Sequence, residues 1–355
     1  MSEEIIYLKK EELKELMQTK FEKAGLKETH AKEVATHLTY ADLRGVHSHG
    51  AVRVEYYSER IAKGGTTIEP DFRFEKTGPS TGVFHADNAI GHVAAKEALG
   101  YGIEMAKETG VAVVGVSKMG HSGMLSYYVD IAAQNDLVAL AVCQSDPMAV
   151  PFGGTEPYFG TNPIAFSAPT NESRPIIFDM ATTVQAWGKI LDARSKNLPI
   201  PNTWAVDKNG EATTDANQVN GLLPISGPKG YGLMMMVDVL SGSLLGLPFG
   251  KHVSSMYSDL SEGRNLGQLF ILINPSNFTD LETFKGNLSQ MIEELHDNKP
   301  ATGFEQVYYP GELSEIRQSE HEATGVPVAK SIYDYLVSED VHYNRYDHSD
   351  AFAER

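Results

Sequence analysis

The chain has 355 residues, 41% of them apolar and 22% charged, the proportions of an ordinary globular protein large enough for two or more packed units. Its formal charge of −17 repels phosphate backbones and anionic headgroups, which excludes nucleic-acid or membrane binding driven by charge and means that an anionic substrate needs a local cation. The single cysteine, Cys143, has no intrachain disulfide partner, the N-terminus lacks the apolar core of a signal peptide, and no apolar run could span a bilayer, so a cytoplasmic protein is expected.

In chain order, Leu13, Leu16, Met17 and Phe21 recur at helical period after Lys10, and Gly25 stops the pattern. Thr29 is placed to cap a second helix carrying Val34, Ala35, Leu38 and Ala41 and ending near Gly45. After a break, a third short helix is expected over 52–63. A helix over 93–108 feeds the β-branched run 111–116, and a second over 124–134 leads to the apolar run 137–142, a β-loop-α-β pattern. Shorter strands are expected at 164–168 and 176–178, and Asp207-Lys208-Asn209-Gly210 signals a hairpin turn. The segment 233–245, with Met234 to Met236, reads as a buried core helix, 269–273 as a buried strand, 281–296 as an amphipathic helix and 312–338 as two more helical stretches. The expected organisation is an N-terminal helical unit (1–65) joined by the C-terminal helices of 312–340, a sheet-containing unit (66–311) of discontinuous subdomains, and a polar tail (341–355).

The glycines Gly115, Gly120 and Gly123 do not have GxGxxG spacing, and His121 stands where a P-loop has lysine, so neither a Rossmann nor a P-loop site is expected. A glycine-lined turn after a strand still lets a ligand approach the backbone. His121 lies in it, where an imidazole could take the proton of a substrate hydroxyl as hydride leaves the same carbon; a capping or exposed histidine is the plainer alternative. A second cluster, Asp42 to Gly50, is followed by Arg53, which shares a helix face with His49 if the third helix begins at His49 or Gly50. Arginine would supply a bidentate carboxylate clamp, against the alternative of incidental surface ion pairs. His47-x-His49 also invites a metal reading, but His85, His92 and His252 have no ligand spacing, and no metal site is expected. Lys229, in the Gly227 to Gly232 segment, and the turns Gln144 to Pro147 and Asp179 to Thr182 place polar groups where phosphate or sugar could bind.

Together, the segments 44–57, 119–122, 143–154, 178–194, 227–246 and 263–268 resemble the malate/L-lactate dehydrogenase type 2 family over almost the whole chain, and within it the branch that oxidises ureidoglycolate. The resemblance implies an α/β protein with the non-Rossmann NAD(P)-binding fold of the L-sulfolactate dehydrogenase-like type: a large mixed, mainly antiparallel sheet flanked by helices, and a helical unit built from both ends of the chain. It implies a homodimer with the site at the subunit interface, NAD as cofactor, and oxidation of (S)-ureidoglycolate to oxalurate in allantoin breakdown. Residue by residue, it makes His121 the base, with His49 as an alternative acid/base. Ser48, His49 and Arg53 would hold the substrate, and Tyr57 and Arg264 would complete its pocket. The dinucleotide would lie along Ser145, Asp179, Met180, Ala181, Lys229, Pro310, Gly311 and Glu312. The rival readings are a sibling dehydrogenase of malate, lactate or sulfolactate, a metal-dependent amidohydrolase, and a catalytically silent binding protein.

Overall fold

A computed structural model describes residues 4–172 and 174–346; most of the expected tail lies outside the described residues. Strand β1 (Ile5–Leu8) leads into helices α1 (Lys10–Ala24) and α2 (Glu28–Leu43), two single 3-10 turns (His47–His49 and Ala51–Arg53) and α3 (Val54–Ala62). Next come β2 (Arg73–Gly78), β3 (Thr81–His85), α4 (Gly91–Thr109), β4 (Val111–Met119), α5 (Ser126–Ala133), β5 (Val138–Cys143), β6 (Ile164–Ala168) and β7 (Ile176–Met180). The chain continues through α6 (Trp187–Ser195), β8 (Ala205–Val206), β9 (Gly221–Leu222), α7 (Pro228–Ser241) and β10 (Leu266–Ile273). It closes with α8 (Leu281–His296), α9 (Glu312–Thr324), β11 (Val326–Ala329) and α10 (Lys330–Val337).

Seven strands form one mixed sheet in the order β2-β3-β4-β10-β5-β6-β7. Only β3 and β4 pair in parallel, across the α4 crossover; the other neighbours are antiparallel. The β-loop-α-β stretch therefore holds with a correction: β4 and β5 run the same way but are not neighbours, because β10 lies between them, antiparallel to both. Alternation along the strands sends Val114, Val116, Ala141, Phe270 and Leu272 to one core with α4 and α5, and Val142, Ile164 and Leu269 to a second beneath Val237 of α7. Contact on that second face is close: a Cβ at Gly267 would run into Ser241 O at the end of α7. A further core gathers Leu13, Met17 and Phe21 of α1 with α2, α3, the β1–β11 pair, and Tyr335 and Leu336 of α10.

Four expectations change. Lys27, not Thr29, is the N-cap of α2, and it makes no side-chain cap, since the helix starts with Glu28 already in its first turn. The third helix begins only at Val54, after the two 3-10 turns. The helix expected over 233–245 is α7, Pro228–Ser241, followed by a 3-10 turn (Ser243–Leu245), and it is buried on one stripe alone: Met234 and Val237 are fully buried, whereas Met235, Met236, Val239 and, in the turn, Leu244 are exposed. Between the last two helices the β-branched, Pro-containing run Val326–Ala329 forms an edge strand against β1.

Candidate active site

The C-terminal end of α2 organises the first half of the site. Asp42 accepts a hydrogen bond from Ala51 N (2.7 Å) through Oδ2 and lies 2.9 Å from His47 Nδ1 through Oδ1. Burial raises its carboxyl above the usual range, and any side chain on Gly50 would run into it. Pinned in this way, the two 3-10 turns present Ser48, His49 and Arg53 to one cleft. Arg53 Nε donates to Ser48 O (2.7 Å) and Nη1 to Tyr257 Oη (3.2 Å), which fixes the plane of the guanidinium. His49 Nδ1 is 3.0 Å from Ser48 Oγ, and its ring stacks over that of His121 with centroids 5.7 Å apart. His49 and Arg53 thus meet without sharing a helix face.

His121 follows β4 in a turn that presses on the start of α4, where a Cβ at Gly91 would stand 2.6 Å from His121 O. Its Nδ1 lies 2.7 Å from Tyr57 Oη and accepts from Gly123 N (3.3 Å). Burial first, then the proximity of His49 and Arg53, holds the His121 imidazole well below its ordinary value, so the ring is neutral. Burial and Arg53 likewise bring His49 down to about 3. Behind His121, inside the protein, stand His92 (centroid 6.4 Å away) and His37, which meets His92 edge-on at 4.7 Å.

Two residues expected in the substrate pocket lie elsewhere. Tyr57 is buried behind His121 and does not line the cleft, whereas its neighbour Tyr56 does. Arg264 is also off the cleft wall: Nη2 donates to Asp146 Oδ1 (2.6 Å) and Ser254 O (2.7 Å), and Nε donates to Ser254 Oγ (3.1 Å). Asp146 also accepts from Met256 N, so this buried pair anchors the segment that carries Tyr257 to Arg53.

The cleft has a volume of about 340 Å³, within the range of small-ligand sites. Ser145 opens onto it, its Oγ accepting from Thr161 N (2.9 Å); Thr182 N donates to Thr161 O (2.9 Å), and Ile225 N to Thr182 O (2.9 Å). This backbone ladder runs past Ala181 to the turn before α7, where Lys229 is exposed in the first helical turn. Asp179 lies in a separate depression of about 230 Å³ with Arg44, Ser126, Pro310 and Gly311. It accepts from Ser126 N (2.8 Å), and burial pushes its carboxyl up to about 6. Met180 pairs with Ile164 in the sheet. Glu312 faces away from the depression, accepting from Tyr309 N (3.0 Å) and lying 3.0 Å from His296 Nε2.

The structure therefore brings Ser48, His49, Arg53, His121 and Ser145 together, gathers Asp179, Pro310 and Gly311 nearby, and leaves Lys229 and Glu312 in neither depression. His47 and His49 turn to different partners, and among the described residues no three His, Cys, Asp or Glu side chains are grouped to hold a metal ion. Sequence reasoning did not assign Tyr56, Asp146, Thr161, Trp187 and Tyr257 to the cleft they line. Only Asp146-Pro147, in a turn after a strand, carried a signal.

The profile of one family, malate/L-lactate dehydrogenase, matches residues 8–337. The chain belongs to the malate/L-lactate dehydrogenase family. Among its relatives, the ureidoglycolate dehydrogenase (NAD(+)) of Escherichia coli K12 is 57% identical over 98% of this chain and 99% of its own length. The malate dehydrogenase of Pyrococcus abyssi is 36% identical over 95% and 94%, respectively. The solved structure of Methanocaldococcus jannaschii sulfolactate dehydrogenase matches with a TM-score of 0.87 at 35% identity, covering 93% of this chain and 95% of that one. The non-Rossmann α/β fold implied by the resemblance is the fold found: a mixed, mainly antiparallel sheet with helices on both faces.

Proposed function

We propose that the protein is an NAD-dependent dehydrogenase that oxidises the hydroxyl-bearing carbon of (S)-ureidoglycolate to give oxalurate and NADH. The observation that carries this reading is His121, held through Nδ1 by Tyr57 in the cleft that also contains the Arg53 fork. The 57% identity to a ureidoglycolate dehydrogenase supports the choice of substrate over malate, lactate or sulfolactate.

To act as base, His121 must carry its proton on Nδ1, where it donates to Tyr57 Oη in place of accepting from Gly123 N (3.3 Å), which leaves the Nε2 lone pair for the substrate hydroxyl. Arg53, already oriented by Ser48 O and Tyr257, binds the carboxylate with its remaining N–H groups. As His121 gains the hydroxyl proton, the hydroxyl carbon loses hydride and becomes the carbonyl carbon of oxalurate. NAD, when bound, supplies the hydride acceptor. General-base catalysis contributes on the order of a hundredfold to ten-thousandfold, and fixed geometry supplies much of the rest.

The residues fit a dinucleotide. Gly188, at the start of α6, faces open space in the cleft wall, where a Cβ would meet nothing within 4 Å. Ser145, Asp179, the Met180-Ala181 backbone, Lys229 and the Pro310-Gly311 turn offer donors and acceptors for phosphate and ribose, with Glu312 flanking them. The exposed apolar face of α7 (Leu233, Met235, Met236 and Val239), with Leu244 in the turn after it, supports a homodimer with the site at the subunit interface. A cytoplasmic location accords with the free, buried Cys143, and no described helix is long and apolar enough to cross a membrane. The core of α1–α3, β1, β11 and α10 supports a helical unit of 1–65 joined by 312–340, packed directly on the 66–311 unit through Ile90, Val93, Met256, Tyr257 and Leu260.

The test is NADH absorbance with purified enzyme, ureidoglycolate and NAD, beside NADP, malate, lactate and sulfolactate. Reduction of NAD with ureidoglycolate, falling at least about a hundredfold in His121→Ala, is the expected result. Activity confined to malate, lactate or sulfolactate would overturn the substrate, and a larger loss in His49→Ala than in His121→Ala would overturn the base.

A further inference from the structure

The segment after α10 begins one residue past the last position matched by the family profile, and it is tied down at every step. Lys20 of α1, itself 1% exposed, donates through Nζ to Ser338 O (2.7 Å), Ser338 Oγ (3.1 Å) and Asp340 O (2.6 Å). Tyr335 Oη donates to Val341 O (2.7 Å). The chain then crosses α3, where two carboxylates one helical turn apart receive it. Glu55 accepts from Tyr343 N (3.2 Å) and pairs with Arg345 (3.5 Å), while Glu59 accepts from Arg345 N (2.9 Å) and Tyr346 N (3.3 Å). Glu59 is completely buried and Glu55 nearly so, an arrangement that is costly for carboxylates unless donors reach them.

These anchors deliver one side chain to the active site. The Tyr346 ring lines the cleft, lies edge-on to Tyr56 (5.7 Å, 77°) and stacks on Tyr257 (6.4 Å, 22°), the tyrosine whose hydroxyl holds Arg53. We infer that residues 338–346 are a strap whose Tyr346 ring walls the substrate cleft beside Arg53 and keeps water from the carboxylate clamp. The inference rests on the reading of Arg53 as that clamp. An ion pair shielded from water is stronger and less screened by salt than an open one. The strap therefore acts on substrate affinity and on its salt dependence, and much less on turnover.

The experiment measures KM, kcat and the ionic-strength dependence of KM for the parent, Tyr346→Phe, Tyr346→Ala and Glu59→Gln, with the melting temperature as a control for folding. In Tyr346→Ala the KM for the 2-hydroxy acid is expected to rise about tenfold and to become steeper in salt, with kcat within about threefold and the KM for NAD unchanged. Tyr346→Phe keeps the ring and stays within about threefold of the parent, and Glu59→Gln, by loosening the strap, shifts KM in the same direction as Tyr346→Ala. A folded Tyr346→Ala with unchanged KM and salt slope overturns the strap while the ureidoglycolate reading stands. If the parent prefers another 2-hydroxy acid, that substrate reading fails and the same comparison is made with the preferred acid. If the parent turns over none of them, the dissociation constant of oxamate replaces KM, and a Tyr346→Ala value equal to that of the parent overturns the strap.

Discussion

Replacing Tyr57 with phenylalanine removes one oxygen and almost nothing else. The ring is 3% exposed and packed against Tyr56, His92 and Phe21, so the phenyl group keeps those contacts and stability should fall by no more than about 1.5 kcal/mol. What disappears is the 2.7 Å hydrogen bond to His121 Nδ1. In the ground state that bond joins two neutral groups and is worth about 0.5–1.5 kcal/mol; in the transition state His121 becomes an imidazolium and the bond to it about 1.5–3 kcal/mol. The difference, about 1–2 kcal/mol, belongs to the transition state and corresponds to a fall of about 5- to 30-fold in kcat. Steady-state NADH formation measures it, and KM for the acid should change little because Tyr57 does not line the cleft. A folded Tyr57→Phe enzyme with kcat within twofold of the parent would refute the claim that Tyr57 positions the base.

Arg53→Lys keeps the charge and loses the fork, along with the Nε contact to Ser48 O; KM for the acid should rise about 10- to 100-fold with a smaller change in kcat, and an unchanged KM would place the carboxylate elsewhere. Stability should depend on pH through the buried His37 and His92 and the partly buried cleft histidines His49 and His121. Burial lowers the folded-state values of His37, His49, His92 and His121, so below about 6.5 the unfolded chain binds the extra protons, and stability present at higher pH is lost at up to about 1.4 kcal/mol per pH unit for each. Asp179, raised to about 6, acts in the opposite direction as pH falls toward that value, so the slope is cleanest above it. Melting temperature should drop between about pH 7.5 and 6 and drop less in His92→Leu; a level profile in the parent would contradict neutral burial of this cluster.

Regular periodicity made several elements legible. Helix α8 has the expected bounds, Leu281–His296, because Asp280 caps it and its apolar stripe is unbroken. Helix α1 ends where Gly25 adopts φ 116°. The short strands β1 and β11 were not legible, because four residues carry too little pattern and each finds its partner at the other end of the chain. Helix α6 also escaped, since its Trp187, Ile190 and Ala193 stripe covers barely two turns. At the site, residue type alone drew attention to His121, His49 and Arg53. The place of Tyr57 depends on His121, and that of Arg264 on Asp146, each from a different part of the chain; neither dependence leaves a local mark.

The position of β10 bears on how the protein comes to be folded. It is the seam of the sheet, yet it is made only after β5 to β9 and α7. Until it arrives, β2-β3-β4 and β5-β6-β7 are two half-sheets, each with an open edge able to pair with the wrong strand. Contacts so distant in sequence make closure slow. Because His121 follows β4 and Ser145 follows β5, the cleft between them cannot take shape before that strand is laid in, so sheet closure and assembly of the active site are one event.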